Sequence, residues 1–212
     1  MTHTTISHGL KTIFIHIPKT AGSSMSHMIM EYKIKAGIES KMQLIYDKHG
    51  NRIHHTTLRI IKEKYPNESF VDEYFKFSIV RNPYDRFISE WLWHQQKTKW
   101  AKSKTLAEFA KDLYKMPILF AIDHIRPQYE FVYDTNGVLL SNYIGRFERL
   151  QESWEYIVDM IYKYSNHRLP NVLIKRQDTN RDKYYMEYYT PEVKQFVLDK
   201  YRIDFETFGY DK

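Results

Sequence analysis

The sequence has 212 residues, no cysteine and a formal net charge of +6, and 42% of its residues are hydrophobic. This length suits one α/β domain with a core of its own, and the lack of cysteine excludes a disulfide framework and thiolate metal sites. The positive excess favours anionic partners such as phosphates, sulfates or acidic glycans, but no Lys/Arg block predicts a nucleic-acid-binding tail.

The same sequence contains no predicted membrane segment. No apolar run reaches the ~20 residues that a spanning helix needs, and residues 1–10 lack the apolar stretch of a secretory signal. We therefore expect a soluble, cytoplasmic protein, although a membrane tether outside this sequence would leave the same pattern. We also expect one domain over residues 1–212, with a flexible segment at 1–11.

The first predicted unit is a strand, a tight loop and a helix. Residues 12–17 are rich in β-branched and aromatic side chains and are followed by Pro18. After a run of small residues, Met25, Met28, Ile29 and Tyr32 follow the spacing of one apolar helix face.

Strands and helices alternate through the rest of the chain. Further strands are predicted at 74–80, 142–147 and 172–174, and helices at 54–65, 84–100, 105–114, 150–164 and 190–201. Thr105 and Glu108 have capping-box spacing, and Asn136-Gly137 between apolar runs predicts a hairpin. The alternation predicts an α/β fold with a central, mostly parallel sheet flanked by helices.

The loop after the first strand has the composition of an anion site. Residues 17–24 read Ile-Pro-Lys-Thr-Ala-Gly-Ser-Ser, and the N–H groups at a helix start can bind an anion. Lys19 adds a positive charge, and Thr20, Ser23 and Ser24 add hydroxyl donors. The order differs from the Gly-Lys-Ser/Thr of a Walker A loop. The alternative interpretation is an ordinary strand–helix turn with a solvated lysine.

A second candidate anion site follows the strand at 74–80. Arg81 lies at the carboxyl end of that strand, where α/β sheets bind ligands. Ser89 lies about two helical turns into the next helix, so both side chains could reach one phosphate. Arg86 competes for this role, and an ion pair between Arg81 and Asp85 that only stabilises the turn is the alternative.

Both motifs resemble those of the sulfotransferases that use 3′-phosphoadenosine 5′-phosphosulfate (PAPS). Residues 17–24 resemble their 5′-phosphosulfate loop, and residues 81–89 resemble their 3′-phosphate motif. The segments at 55–58, 126–128, 144–148 and 188–192 are most similar to the branch that contains heparan and dermatan uronyl 2-O-sulfotransferases and their bacterial relatives. This resemblance extends over roughly residues 13–210 and implies a P-loop-kinase-like fold. It also implies that the protein transfers a sulfuryl group from PAPS to a hydroxyl group, which we expect to belong to a carbohydrate.

The resemblance also implies individual roles. Lys19 would stabilise charge on the departing 5′-phosphate, and Arg81 and Ser89 would hold the 3′-phosphate of PAPS and of the product PAP. The backbone N–H groups that would cradle the 5′-phosphate belong to Thr20, Ala21, Gly22, Ser23 and Ser24. No metal is expected, because the histidines lack the spacing of a zinc site.

A general base for the acceptor hydroxyl is implied as well. His55 aligns with the histidine that has this role in the 2-O branch, and an ordinary pKa near 6.5 suits proton abstraction around neutrality. His54 leaves the register open by one residue, and Glu31 is the weaker candidate. Arg126 and Gln128 are expected to bind the acceptor, and a loop carrying Lys175, Arg176 and Arg181 closes over the nucleotide in relatives.

Two other functions stay open at this point. A small-molecule kinase would use ATP and magnesium, and the missing Gly-Lys-Ser/Thr counts against it. A non-catalytic module that binds anionic glycans through the positive surface would show a steep salt dependence. The spacing of Arg81 and Ser89 argues against that module, whereas the sequence leaves the acceptor and the oligomeric state undetermined.

Overall fold

A computed structural model describes residues 5–38, 45–46, 52–53, 55–113, 123–171 and 184–212. The chain forms two compact units. The first comprises Met1–Val80 and Glu130–Arg176, and the second comprises Arg81–Tyr129 and Gln177–Lys212.

The described elements follow one another in a mixed α/β order. They are β1 (Thr5–Ser7), β2 (Thr12–Ile15), α1 (Gly22–Lys35), β3 (Ile45–Tyr46), β4 (Arg52–Ile53), α2 (Leu58–Lys64), α3 (Phe70–Glu73), β5 (Phe75–Val80), α4 (Pro83–Lys97), α5 (Leu106–Lys111), α6 (Tyr129–Val132), β6 (Tyr143–Arg146), α7 (Leu150–Ser165), α8 (Pro191–Lys200) and α9 (Arg202–Phe208). Short 3₁₀ helices cover Phe147–Arg149 and Tyr185–Tyr188.

The first unit is built on a four-stranded sheet in the order β1-β2-β5-β6. β1 is antiparallel to β2, whereas β2, β5 and β6 are mutually parallel. Every residue of β2 and β5 is buried, as expected for parallel strands covered on both faces. Ile15 pairs with Ser78, so β2 and β5 end at the same sheet edge. The predicted α/β fold with a mostly parallel sheet is confirmed.

Helix α7 packs closely on this sheet. Trp154 and Ile157 lie in one buried cluster with Phe14 and Phe77, which also stack on each other at 5.1 Å between ring centroids. A Cβ on Gly145 would lie 2.6 Å from Ile79 Cδ1 and 2.7 Å from Ser153 Cβ. The close approach of α7 to β6 therefore requires glycine at this position.

The second unit is helical in its described part, and α4 contacts α5 and α8. Its apolar cluster includes Phe87, Phe109, Val197 and Phe205. The predicted capping box at the start of α5 is present, and Thr190 caps α8 by accepting the N–H of Val193.

Several predicted boundaries were wrong. The helix predicted over 54–65 begins at Leu58, because the Thr57 side chain accepts the N–H of Ile60 and ends the non-helical segment. The helix expected to end the chain is followed by α9. In place of the predicted hairpin strands there is one isolated bridge, Tyr133 to Leu139, after the short helix α6.

Two further segments can be placed against their predictions. Part of the segment predicted to be flexible forms β1, which pairs with β2. The strand predicted at 172–174 lies outside the described residues. Within the described part of the chain, no helix has both the length and the apolar character needed to cross a membrane.

Candidate functional site

The loop between β2 and α1 turns tightly by means of two left-handed residues. Lys19 has φ 67° and Ala21 has φ 71°, a region that costs a non-glycine residue of the order of 1–2 kcal/mol. Thr20 Oγ1 donates to the Ile17 carbonyl at 2.9 Å across the turn. Such turns bring successive backbone N–H groups into a concave arrangement that binds anions.

The start of α1 contributes to the same candidate anion site. Its N-cap residue, Ala21, has no side-chain acceptor for the first-turn N–H groups. In an α-helix those groups have no carbonyl four residues earlier, and the helix dipole adds partial positive charge there. A phosphate or sulfate can take the role that a capping side chain has elsewhere.

Gly22, the first residue of α1, lets His16 approach the helix. A Cβ at position 22 would overlap with the imidazole of His16, which is buried. The same imidazole is stacked on Phe14 at 5.9 Å between centroids. Glycine is therefore required here by the packing of His16, independently of any ligand.

His55 is fixed by the backbone of His16. Its Nδ1 lies 2.9 Å from the His16 carbonyl oxygen, and the two rings meet edge-to-face at 4.6 Å. A carbonyl oxygen only accepts, so Nδ1 must carry the hydrogen. In the neutral ring the basic lone pair is then on Nε2, the tautomer that a general base at this position needs.

Glu31 and His54 are the other two candidates for the general base. Glu31 is placed less favourably than His55. Glu31 lies on the exposed side of α1 and forms an ion pair with Lys35 at 2.6 Å. The hydrogen bond and the positive charge of Lys35 lower the pKa of Glu31, which makes it a weaker base. His54 lies outside the described residues, as do Lys175, Arg176 and Arg181.

In the second unit, the backbone of Arg81 is held on both sides by Gln128. The Arg81 N–H donates to Gln128 Oε1 at 2.9 Å, and Gln128 Nε2 donates to the Arg81 carbonyl at 2.8 Å. Gln128 has no solvent exposure. Both ends of its amide are thus used to position Arg81, a role that the sequence did not predict.

The Arg81 side chain donates through Nε to Asp85 Oδ2 at 2.6 Å. The alternative considered from the sequence, an Arg81–Asp85 ion pair, is therefore present. It uses one of the five N–H donors of the guanidinium and fixes the plane of the group. Ser89, the second predicted phosphate ligand, is 1% exposed on α4.

Arg86 is engaged with the segment that precedes Gln128. Its Nη1 donates to the Arg126 carbonyl and its Nη2 to the His124 carbonyl, both at 3.0 Å. This bonding favours a structural role over phosphate binding for Arg86. The side chain of Arg126 lies 3.6 Å from Asp123 in an ion pair.

Asp204 anchors the same segment from α9 and was missed by sequence reasoning. Its carboxylate accepts the N–H groups of Gln128 and Tyr129, each at 2.8 Å. Burial raises the pKa of Asp204 to about 6, and this rise is opposed by the charge of Arg86 and by those N–H donors. A lone aspartate in a C-terminal helix gives no sequence signal of such a partner.

We predict that Gln128→Ala lowers the free energy of unfolding by about 2–4 kcal/mol, because it leaves two buried backbone groups of Arg81 without their partner. Urea unfolding measures the change. The matched control is Gln151→Ala, since the Gln151 amide bonds at the surface. Equal effects of the two substitutions would contradict this role of Gln128.

We predict that Asp204 makes a pH-dependent contribution to the free energy of unfolding. Because its folded-state pKa is raised, its stabilising contribution is complete below about pH 4 and is lost as the pH rises through about 6. When the pH is lowered from 7 to 4, the free energy of unfolding of the wild type should therefore rise by up to about 3 kcal/mol relative to that of Asp204→Asn. Urea unfolding across this range tests it, and parallel curves for the two proteins would contradict it.

Comparison with known proteins identifies the family of this chain. Residues 2–211 match a family model described as "Sulfotransferase family". No curated protein and no solved structure matches the sequence. Because the family match covers nearly the whole chain, the protein belongs to the sulfotransferase family.

Proposed function

We propose that the protein transfers the sulfuryl group of PAPS to a hydroxyl of a carbohydrate and releases PAP. In this reaction the acceptor oxygen forms a bond to sulfur while the bond from sulfur to the 5′-phosphate oxygen breaks. The acceptor proton passes to a base on the protein. As in phosphoryl transfer, such an in-line displacement depends mainly on positioning and on stabilising charge at the leaving group.

The observation that carries the proposal is the loop between β2 and α1. It combines a tight turn with two left-handed residues, a helix start without a side-chain cap and the charge of Lys19. A 5′-phosphate bound there would accept from the N–H groups of residues 20–24. Lys19 would stabilise the negative charge that develops on this phosphate as the sulfuryl group leaves.

Arg81 and Ser89 support binding of the 3′-phosphate. Gln128 and Asp85 fix the backbone and the guanidinium of Arg81, so little side-chain entropy is lost when a phosphate binds. A buried arginine and a hydroxyl devoted to this group would discriminate PAPS from ATP, which has no 3′-phosphate. Such recognition of a 3′-phosphate disfavours the kinase interpretation.

His55 is the proposed general base. Its hydrogen bond to the His16 carbonyl sets the tautomer and the ring plane, and the neutral form can accept the acceptor proton at Nε2. The strained loop that carries Lys19 begins directly after His16. One backbone segment therefore orients the base and leads into the group that would stabilise the leaving phosphate.

The carbohydrate acceptor rests on the resemblance to the uronyl 2-O-sulfotransferase branch and on the net charge of +6. Arg126 stays the proposed acceptor-binding residue. The amide of Gln128 is bonded to the Arg81 backbone, so we now assign it to positioning Arg81 rather than to the acceptor. The proposal treats residues 1–212 as one sulfotransferase domain that needs no metal for sulfuryl transfer.

We predict that calorimetric titration gives micromolar affinity for PAP and no measurable binding of ATP–Mg²⁺. Arg81→Ala should weaken PAP binding by at least about tenfold, because a charge-assisted contact to phosphate is lost. Arg149→Ala is the matched control, since Arg149 is exposed in its contact with Glu152. Binding of ATP–Mg²⁺ without PAP binding would overturn the sulfotransferase proposal in favour of a kinase.

We predict that His55→Asn lowers kcat by about 10²–10⁴-fold while the affinity for PAP is unchanged. The asparagine amide can still donate to the His16 carbonyl, so the substitution removes the base and keeps its anchor. The assay follows transfer of labelled sulfate from PAPS to desulfated heparan and dermatan polysaccharides, with His27→Asn on the exposed face of α1 as the control.

The outcomes of this assay separate the parts of the proposal. Full activity of His55→Asn would show that another group is the base. If the wild type binds PAP but sulfates neither polysaccharide, the assignment to the uronyl 2-O-sulfotransferase branch is wrong, and the proposed dependence on PAPS stands.

A further inference from the structure

Three side chains with metal-binding chemistry meet in the second unit. Glu90 and His94 belong to α4, and His124 lies in the segment before α6. Their ligand atoms all lie within 4.8 Å of one another. Glu90 Oε1 is 2.8 Å from both His94 Nε2 and His124 Nδ1. Across the described residues this is the one group of three or more such side chains with this spacing.

Helix geometry brings the first two ligands together. Glu90 and His94 are four residues apart on α4, so they project from the same face of the helix. His124 reaches them from 34 residues beyond Glu90. The spacing of the histidines alone predicts no metal site, whereas the local pair here is a glutamate and a histidine.

We propose that Glu90, His94 and His124 bind a Zn²⁺ ion. Two imidazoles and one carboxylate form a donor set typical of zinc, which binds nitrogen and oxygen at about 2.0–2.2 Å. Around a tetrahedral ion, neighbouring donor atoms are then about 3.3 Å apart. To admit the ion, the two nitrogen–oxygen distances would widen from 2.8 Å, and the distance between the two nitrogens, which is at most 4.8 Å, would adjust to the same value.

The surroundings of the cluster favour a tightly held ion. The side chains of Glu90, His94 and His124 are 4%, 0% and 13% exposed. The ring centroids of Trp93 and His124 are 5.3 Å apart, and those of Trp100 and Phe109 lie within 6 Å of the His94 ring centroid. These aromatic neighbours lower the local dielectric, which strengthens the attraction between a cation and the Glu90 carboxylate. A water molecule would complete the tetrahedral set of donors.

The role of the ion would be structural. It would join α4 to the segment at 123–128, whose carbonyl groups accept from Arg86 and whose Gln128 holds Arg81. Sulfuryl transfer as proposed above uses none of the three ligands. The zinc proposal therefore stands or fails independently of that function.

The test uses the full chain without an affinity tag, after removal of metal by a chelator. Titration with Zn²⁺ against a chromophoric chelator should give about one tightly bound ion per chain. Bound Zn²⁺ should raise the midpoint of thermal unfolding, since it binds only the folded arrangement. Substitution with Co²⁺ should give the visible absorption of a tetrahedral ion with nitrogen and oxygen ligands.

His124→Gln is the decisive variant, because His124 is the most exposed of the three ligands. It should weaken Zn²⁺ binding by at least about tenfold and abolish the rise in the unfolding midpoint, as loss of a ligand requires. His27→Gln, on an exposed part of α1, is the matched control and should bind as the wild type does.

Equal Zn²⁺ affinity of the wild type and His124→Gln, or no Zn²⁺ bound by the wild type, would overturn the proposal. The cluster would then be a buried carboxylate shared by two histidines. If His94→Gln fails to fold, His124→Gln and Glu90→Gln still decide between these results.

Discussion

The parallel pairing of β2 with β5 is the constraint on which the proposed chemistry depends. Both strands are buried on both faces. Their pairing extends to Ile15 and Ser78, where the Ser78 hydroxyl also donates to the Ile15 carbonyl at 2.8 Å. A slip of one residue would turn every buried side chain to the opposite face, so the register is strongly specified. The two strands therefore end at one edge, and the chain continues from them into the Lys19 loop and into Arg81.

Side chains of the proposed site in both units are positioned through backbone groups. The His16 carbonyl fixes His55, and Gln128 holds the N–H and the carbonyl of Arg81. Asp204 in turn accepts the N–H of Gln128. In buried surroundings such bonds are strong, and leaving one unmade is costly. Arg81 is therefore held before any ligand binds, which suits a reaction that depends on positioning.

Local signals explain why much of the fold was predictable. A strand-forming run before Pro18, a loop of small residues and an amphipathic helix are all encoded within a short stretch, and so is the Thr105–Glu108 capping box. The start of α2 was predicted too early because apolar periodicity does not mark the residue at which a helix begins. The Thr57 N-cap does mark it. The predicted hairpin was reduced to one bridge because Phe131 and Val132 join a helical turn.

The sequence by itself determined the α/β class and membership of the sulfotransferase family, and it predicts that the Lys19 loop, Arg81 and Ser89 bind anions. Only the tertiary structure decided that Gln128 holds Arg81, that Asp204 anchors Gln128, and that His124 joins Glu90 and His94. These partners are separated by 47, 76 and 34 residues. Side-chain spacing within one element follows from helix or strand geometry, but contacts over such separations depend on how the elements pack together.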